Sequence, residues 1–474
     1  MAISAVASIV LTPLLLSVYG KDGLGSYWVV LSIVSVMGML EFGLLTSSSR
    51  FFAVAIGGGK GRLWSSVESL LKRYVFAILT LLALVASFVY FWLIGDVVGI
   101  EDSWREDASN LFLCLTAVLF LSVFTIPFAA KLQAFEQIQT LYFAQFLNAL
   151  FRLIASLAVV LTQHSLWWLG LAALLATVIS SCYQIYHARQ LNDFPDNGEG
   201  DVLSWNEMMM TMLPLTVMML GDILRFTVDS MIVGAFLGTA LVAVYGVGFL
   251  PAELLKQAMA PFSRFFMVWA SADVGREEGG HQRLFKFAQH AGIPIAIMCG
   301  ATAASAPVLL RLWMGDDFVM SAAPVLSVLL LGFLFALPQT GVTGHLIGVG
   351  QQWPLAWLTL LEGVSNLLLT LALVVPLGVL GVAIGTCLPM IVSKGFIQPW
   401  LLARHCGLSY WHTWDHLLRL PLIWGLGIYA VLAWPAWNVS SIWELFAYLA
   451  LAALMAGVPV MRRVLVVWRL RHGS

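Results

Sequence analysis

GQQWPLAWLTLLEGVSNLLLTLALVVPLGVLGVAIGT, residues 350–386, is two apolar helices' worth of sequence joined by the tight connection Pro-Leu-Gly-Val at Pro376. Glu362 and Asn366 stand in the middle of its first half, four residues apart. That is about one helical turn, so both side chains leave the same face of a segment otherwise built of Leu, Val and Trp. Such a face calls for a polar interior. At an offset of 214 residues a similar object occurs, QTLYFAQFLNALFRLIASLA at 139–158, with Asn148 and Arg152 opposite Glu362 and Asn366 and Leu157-Ala158 opposite Leu371-Ala372. Gly20 and Tyr27, seven residues apart, are echoed by Gly238 and Tyr245 at an offset of 218. Two offsets that agree to within a loop insertion point to a duplicated half.

The chain around this stretch is 474 residues long, 60% hydrophobic and only 10% charged, with mean hydropathy +0.91. Soluble domains carry about a quarter charged residues, so the composition is that of an integral membrane protein. Apolar runs of about 20 residues, each able to cross roughly 30 Å of hydrocarbon, recur at 1–19, 24–47, 72–95, 108–130, 140–161, 166–187, 208–237, 240–269, 287–313, 322–349, 354–375, 378–401, 420–436 and 442–467. The first is entered without a charged leader and is expected to stay as a helix, not to be cleaved as a signal. The expected fold is therefore an all-α polytopic membrane protein of about fourteen transmembrane helices. Two pseudo-symmetric six-helix lobes, 1–190 and 207–403, flank a linker at 191–206, and two further helices with a tail occupy 404–474.

Lys and Arg fall in alternate connections: Arg50 to Arg73 after the second span, Lys131 after the fourth, Arg189 after the sixth, Arg276 to Lys286 after the eighth, Arg404 and Arg419 after the twelfth, and Arg462 to Arg471 at the end. The opposite connections carry mostly Asp and Glu, as at Glu101, Asp102, Asp316 and Asp317. The positive-inside rule then puts both termini in the cytoplasm. A net charge of -1 supplies no basic surface, which excludes nucleic acid as a partner. The five cysteines show no ligand spacing and read as free thiols, and the 19 tryptophans, many near run ends, read as interfacial anchors beside membrane lipids.

Ionisable residues inside spans are costly, at least about 2 to 3 kcal/mol each at the bilayer centre, and mark wet cavities. The seventh span has Asp222, Arg225 and Asp229 at spacings of three and four, one stripe of a continuous helix. The eighth has Glu253 and Lys256, the second Glu41, and the fifth Arg152 with Gln145 and Asn148. Any single pair reads equally well as interhelical glue; four spans carrying ions together read as a polar lumen, because small residues are the usual glue. GGGKG at 57–61 lacks the Ser or Thr and the spacing of a phosphate loop and reads as a loop. His412 and His416 have the spacing of a metal pair without a third ligand, so no metal site is expected. Asn438-Val-Ser440 matches a glycosylation acceptor by chance composition alone, and Gly381 with Gly385 reads as close helix packing. No nucleophile with a base and no large outer loop is present, so the chain is not expected to be an enzyme.

TPLLLSVYGKDGLGSYW at 12–28, LEFGL at 40–44, KLQAFEQ at 131–137, EGVSNLLLT at 362–370 and PLGVLGVAIGT at 376–386 resemble the polysaccharide transporters of the multidrug, oligosaccharidyl-lipid and polysaccharide exporter superfamily. Glu41 stands where relatives often carry Asp. The resemblance implies a multi-pass protein of the cytoplasmic membrane, with two lobes around a cavity lined mainly by helices one, two, seven and eight. It also implies alternating access and export of a lipid-linked oligosaccharide or polysaccharide unit, with glycan-assembly enzymes as partners. For a pyrophosphate-bearing substrate the cations would be Arg225, Lys256, Arg152 and Arg50, with Asn148 and Asn366 as polar lining. Asp222, Asp229, Glu253, Glu362 and Glu41 are the candidates for coupling to H+ or Na+; no other cofactor is expected. The alternatives are a cation-coupled drug or metabolite antiporter of the same fold and a membrane-embedded glycan ligase or polymerase. The two C-terminal helices would add an apolar wall beside the second lobe.

Overall fold

The computed structural model describes residues 2–41, 43–92, 100–191, 202–273, 280–436 and 444, and among them there is no strand. The helices are α1 (Ala2–Met37), α2 (Leu44–Gly58), α3 (Gly61–Trp92), α4 (Asp102–Ala134), α5 (Ile138–Leu161), α6 (Trp168–Gln190), α7 (Trp205–Phe226), α8 (Val228–Leu237) and α9 (Thr239–Asp273). They continue as α10 (Gly280–His290), α11 (Gly292–Ala304), α12 (Ala306–Met314), α13 (Val319–Ala336), α14 (Thr340–Gly348), α15 (Gln352–Val392), α16 (Gln398–Cys406), α17 (Tyr410–Trp414) and α18 (Leu420–Ala436). With the short turns between some of them, they make eleven runs long and apolar enough to cross a membrane among the described residues. Two of these, 52 and 55 residues long, would measure about 78 and 83 Å if straight, more than twice the hydrocarbon thickness. Both are folded at a glycine inside, Gly20 and Gly378. The connection expected at Pro376 is thus made at Gly378 (φ 59°, ψ -144°). The last expected span, 442–467, lies outside the described residues apart from Glu444, as do most of the 191–206 linker and Asn438-Val-Ser440.

Two compact units form, Met1–Ala243 and Val244–Ser474, and the division falls inside α9. Helices α7 and α8 lie with the first unit, where α8 packs on α1 and α7 on α2. In this unit the helix ends sort into two groups. Tyr19 donates to the His164 carbonyl (2.7 Å), the Leu166 N–H donates to Asp107 (3.1 Å), and Trp104 meets Tyr19 edge-on at 6.2 Å. These bring the odd-numbered connections to one end. Lys131 donates to the Leu191 carbonyl (3.0 Å) and Ser66 to that of Leu203 (3.3 Å), which gathers the even-numbered connections at the other. In the second unit Phe285 lies 5.1 Å from His416 and His345 6.4 Å from His405, so the connections after the eighth, tenth and twelfth expected spans share an end. The up-and-down alternation inferred from charge is therefore the alternation of the fold.

The repeat is visible in backbone and side chains alike. Gly20 has φ 71°, ψ -174°, and Gly238 has φ 89°, ψ 165°, a region of dihedral space open essentially only to glycine. Each reverses the chain between two helices without a loop. Asn148 Nδ2 on α5 donates to Thr177 on α6 (3.2 Å). In the second unit Glu362 accepts from Ser393 (2.5 Å), at offsets of 214 and 216 from the first pair. The same helix-to-helix polar tie is thus made twice with different chemistry. On α15, a Cβ at Gly385 would lie 2.6 Å from Thr370 Oγ1 and one at Gly381 would strike the Leu373 carbonyl, so the small residues do mark a close approach. Helix α18 packs along α11 in the second unit, burying Ile293, Ile297, Ala301, Ala304, Ile428 and Leu432 together. The five cysteines are all free thiols.

Candidate functional site

The stripe expected on one helix is divided. Phe226-Thr227-Val228 is an aromatic residue followed by two β-branched ones, a weak helix-forming run, and the helix breaks at Thr227. Asp222 and Arg225 end α7, and Asp229 opens α8. Arg225 is 10% exposed and pairs with Asp222, which is 48% exposed (2.5 Å). Its guanidinium lies 4.3 Å from the centre of the Phe226 ring. Helix α7 itself starts at a reciprocal cap, in which Ser204 accepts from the Glu207 N–H and the Glu207 carboxylate accepts from the Ser204 N–H. Asp229 is fully buried. The three charges thus occupy three different environments and do not form one exposed face.

Elsewhere in the first unit, Arg152 is exposed and reaches from α5 to the Tyr27 hydroxyl of α1 (3.4 Å). Arg50 on α2 is exposed, and Glu41 is half-buried in the turn between α1 and α2. The Tyr27 named by the glycine–tyrosine repeat thus contacts the arginine named by the other repeat. Asn148 is spent on Thr177. In the second unit Lys256 and Glu253 pair at 2.8 Å on α9, with Glu253 also accepting from Gln257 (3.2 Å). Asn366 is fully buried on α15 and accepts from Thr370 (2.7 Å).

One polar cluster among the described residues was only half legible in the sequence. Glu362 is buried, as expected of the face on which it stands, and it is joined there by residues from the following helix that carry no motif. Between α15 and α16 the chain makes one π turn, Ser393–Ile397. Such a turn breaks the regular ladder and releases carbonyls, which must find other donors. Gln339, fully buried, donates to the Lys394 carbonyl, and Trp414 Nε1 donates to that of Gly395 (2.9 Å). The turn aims Ser393 Oγ at Glu362 (2.5 Å) and carries Lys394 Nζ to 3.9 Å from the same carboxylate oxygen. Lys394 Nζ also donates to Gln398 Oε1 (2.8 Å), whose amide reaches Thr343 (3.3 Å). Lys394 and Gln398 are five and nine positions past Pro389 in an apolar run, and their lone polar character was the only available signal.

His412 and His416 lie 4.1 Å apart with their rings inclined at 44°, and both lean on Phe285. No group of three or more His, Cys, Asp or Glu placed to hold a metal occurs among the described residues. Gly59 caps α2 in the left-handed conformation, so GGGKG is a helix-ending turn.

No family model matches this chain, and no curated protein matches it in sequence. Solved structures do match in fold. The lipid II flippase MurJ in an inward closed conformation is 14% identical with a TM-score of 0.74, covering 98% of each chain. An inward-facing multidrug resistance MATE transporter of the MOP superfamily is 16% identical with a TM-score of 0.65, covering 85% of this chain and 94% of its own. A MATE transporter of Vibrio cholerae is 15% identical with a TM-score of 0.58 over 89% of this chain and 95% of its own. The chain has the fold of the MOP superfamily transporters, the fold shared by the lipid II flippase and the MATE proteins.

Proposed function

We propose that this protein is a flippase of the cytoplasmic membrane that moves a lipid-linked oligosaccharide or polysaccharide unit by alternating access, with both termini in the cytoplasm and no catalytic role. The observation that carries this reading is coverage. The likeness to a lipid II flippase extends over 98% of both chains, whereas the likeness to an inward-facing MATE transporter leaves 15% of this chain uncovered. That share is about the length of the segment 404–474, which the duplicated lobes leave over. Membrane-embedded cations support an anionic headgroup as cargo: Arg152 is exposed and Lys256 is 34% exposed, and both suit phosphate oxygens. The MATE likeness together with buried Glu362 favours a second reading, a cation-coupled antiporter.

Arg152→Ala and Lys256→Ala separate the two. Each removes a solvated group, so membrane abundance should hold. A charge-assisted hydrogen bond to phosphate contributes about 1.5 to 3 kcal/mol, so flipping of a polyprenyl-pyrophosphate-linked oligosaccharide in proteoliposomes should fall roughly ten- to a hundredfold. Unchanged flipping by both variants would move the assignment to the antiporter.

A further inference from the structure

The end of α15, the π turn and α16 have an inner and an outer side. Between Leu388 and Trp400 the polar residues Ser393, Lys394 and Gln398 are all buried, while Leu388, Val392, Phe396 and Trp400 are 48, 52, 49 and 45% exposed. A membrane-spanning stretch with its polar groups inside and its apolar groups outside turns that outer side to hydrocarbon, because a wet cavity would take the polar ones. The four exposed residues stand at steps of four, and the next step is Arg404, which is also exposed. On a regular helix such steps drift by about 40° each and would carry Arg404 about 160° round from Leu388. The π turn at Ser393–Ile397 adds one residue to the winding and takes back about 100°. All five residues therefore share one stripe. The Arg404 guanidinium lies 5.5 Å from the centre of the Trp400 ring. No carboxylate among the described residues pairs with it, whereas Arg419 is matched to Asp415 at 2.9 Å. Arg283 on α10 lies over Trp269 (4.3 Å), Trp269 lies 6.5 Å from His345, and His345 lies 6.4 Å from His405. That chain of rings brings a second exposed arginine to the same end of the second unit.

We propose that this stripe binds an anionic glycerophospholipid of the bilayer, with one acyl chain along Leu388, Val392, Phe396 and Trp400 and the headgroup phosphate on Arg404. From Leu388 to Trp400 the stripe runs for about 18 Å, close to the hydrocarbon depth of one leaflet, about 15 Å. It ends in a cation at the level where a phospholipid carries its phosphate, beside a tryptophan of the kind that sits at that interface. Stacking on Trp400 holds the guanidinium plane and leaves its edge N–H groups for phosphate oxygens. Arg283 adds positive potential at the same end, which favours a headgroup with net negative charge over a zwitterionic one. A free phosphate would need no stripe. A polyprenyl chain, longer than one leaflet is deep, would overrun it. The π turn thus has separate tasks on its two sides, the polar cluster within and the lipid without.

The test uses the full-length protein in phosphatidylcholine nanodiscs doped with phosphatidylglycerol that carries a photoreactive diazirine in its acyl chain. After irradiation, peptide mapping should place the label on residues 388–400, with a yield that saturates as the doped fraction rises. The same diazirine on phosphatidylcholine should label the spans without that preference. Arg404→Gln should raise the half-saturating fraction of phosphatidylglycerol about ten- to a hundredfold, and Arg283→Gln should raise it less. Arg419→Gln, which removes a charge already matched, should leave it in place. Equal labelling by the two lipids, or an Arg404→Gln variant that saturates like wild type, would reduce the stripe to ordinary boundary surface and overturn the proposal. So would absence of label from 388–400, which would mean that protein covers the stripe. Displacement of the label by glycerol phosphate would assign the site to a free anion, and displacement by an equal amount of polyprenyl pyrophosphate would assign it to the cargo; either outcome overturns the phospholipid. If Arg404→Gln is lost from the membrane, Trp400→Ala and the comparison of the two lipids still decide. None of these measurements involves transport, so failure here leaves the flippase reading standing, and loss of the flippase reading leaves these outcomes unchanged.

Discussion

Arg225 sits at the end of α7 with its guanidinium over Phe226 and paired with Asp222. Its removal leaves Asp222, which is 48% exposed, in contact with solvent. Arg225→Ala should therefore reach the membrane in near-normal amount, while glycan export in cells falls. Arg225→Lys should restore export only in part, because an ammonium keeps the charge but not the planar fork. Immunoblotting of membranes beside an export assay checks both. Loss of the Arg225→Ala protein from the membrane would instead make the residue structural. At this scale the sequence located nearly every ionised residue, since a charge in an apolar run is conspicuous. It did not sort them by environment: Asp222 and Asp229 look alike on a helical wheel, yet one is half exposed and the other fully buried.

At the scale of helices, the contact of α11 with α18 is set by two glycines. A Cβ at Gly300 would strike the Gly425 carbonyl, and a Cβ at Gly425 would approach the Ala296 carbonyl to 2.9 Å. Gly425→Leu should therefore wedge the helices apart and destabilise the second unit by about 1 to 3 kcal/mol, the usual cost of overpacking. The readout is thermal unfolding in detergent. Gly427, two positions on, meets nothing within 4 Å, so Gly427→Leu should leave the unfolding temperature close to wild type. The packing also refines the view of the C-terminal helices as an added wall: α18 shares the apolar core of the second unit. The spans themselves were legible because a helix that crosses a membrane must be apolar over about 20 residues. The breaks inside them, at Thr227 and at the π turn, were not. At the π turn the break is decided by which neighbouring donors can take up the freed carbonyls, as Gln339 and Trp414 do.

Across the whole molecule, the grouping of helix ends makes a topology test direct. In a cysteine-free background, Gly58→Cys and Lys60→Cys should be protected from a membrane-impermeant thiol reagent in intact cells, while Ser103→Cys and Asp317→Cys should be labelled. Mass tagging of the four variants reads the outcome, and labelling of the first two from outside would reverse the orientation inferred from Lys and Arg.

What the sequence by itself determined is the class of fold and, among the described residues, where the apolar spans lie and how their ends alternate within each unit. Each is imposed by requirements that act locally along the chain: apolar length, the charge of connections, and glycine where the backbone must turn at positive φ, as at Gly20 and Gly238. What only the tertiary structure decided is which polar groups share a site. Glu362, Ser393, Lys394, Gln398 and Gln339 come from three stretches of chain and meet at the π turn, which sets Ser393 and Lys394 beside Glu362. Periodicity cannot show this, because it describes one helix at a time, whereas the energy of a buried charge is set by the helices packed around it.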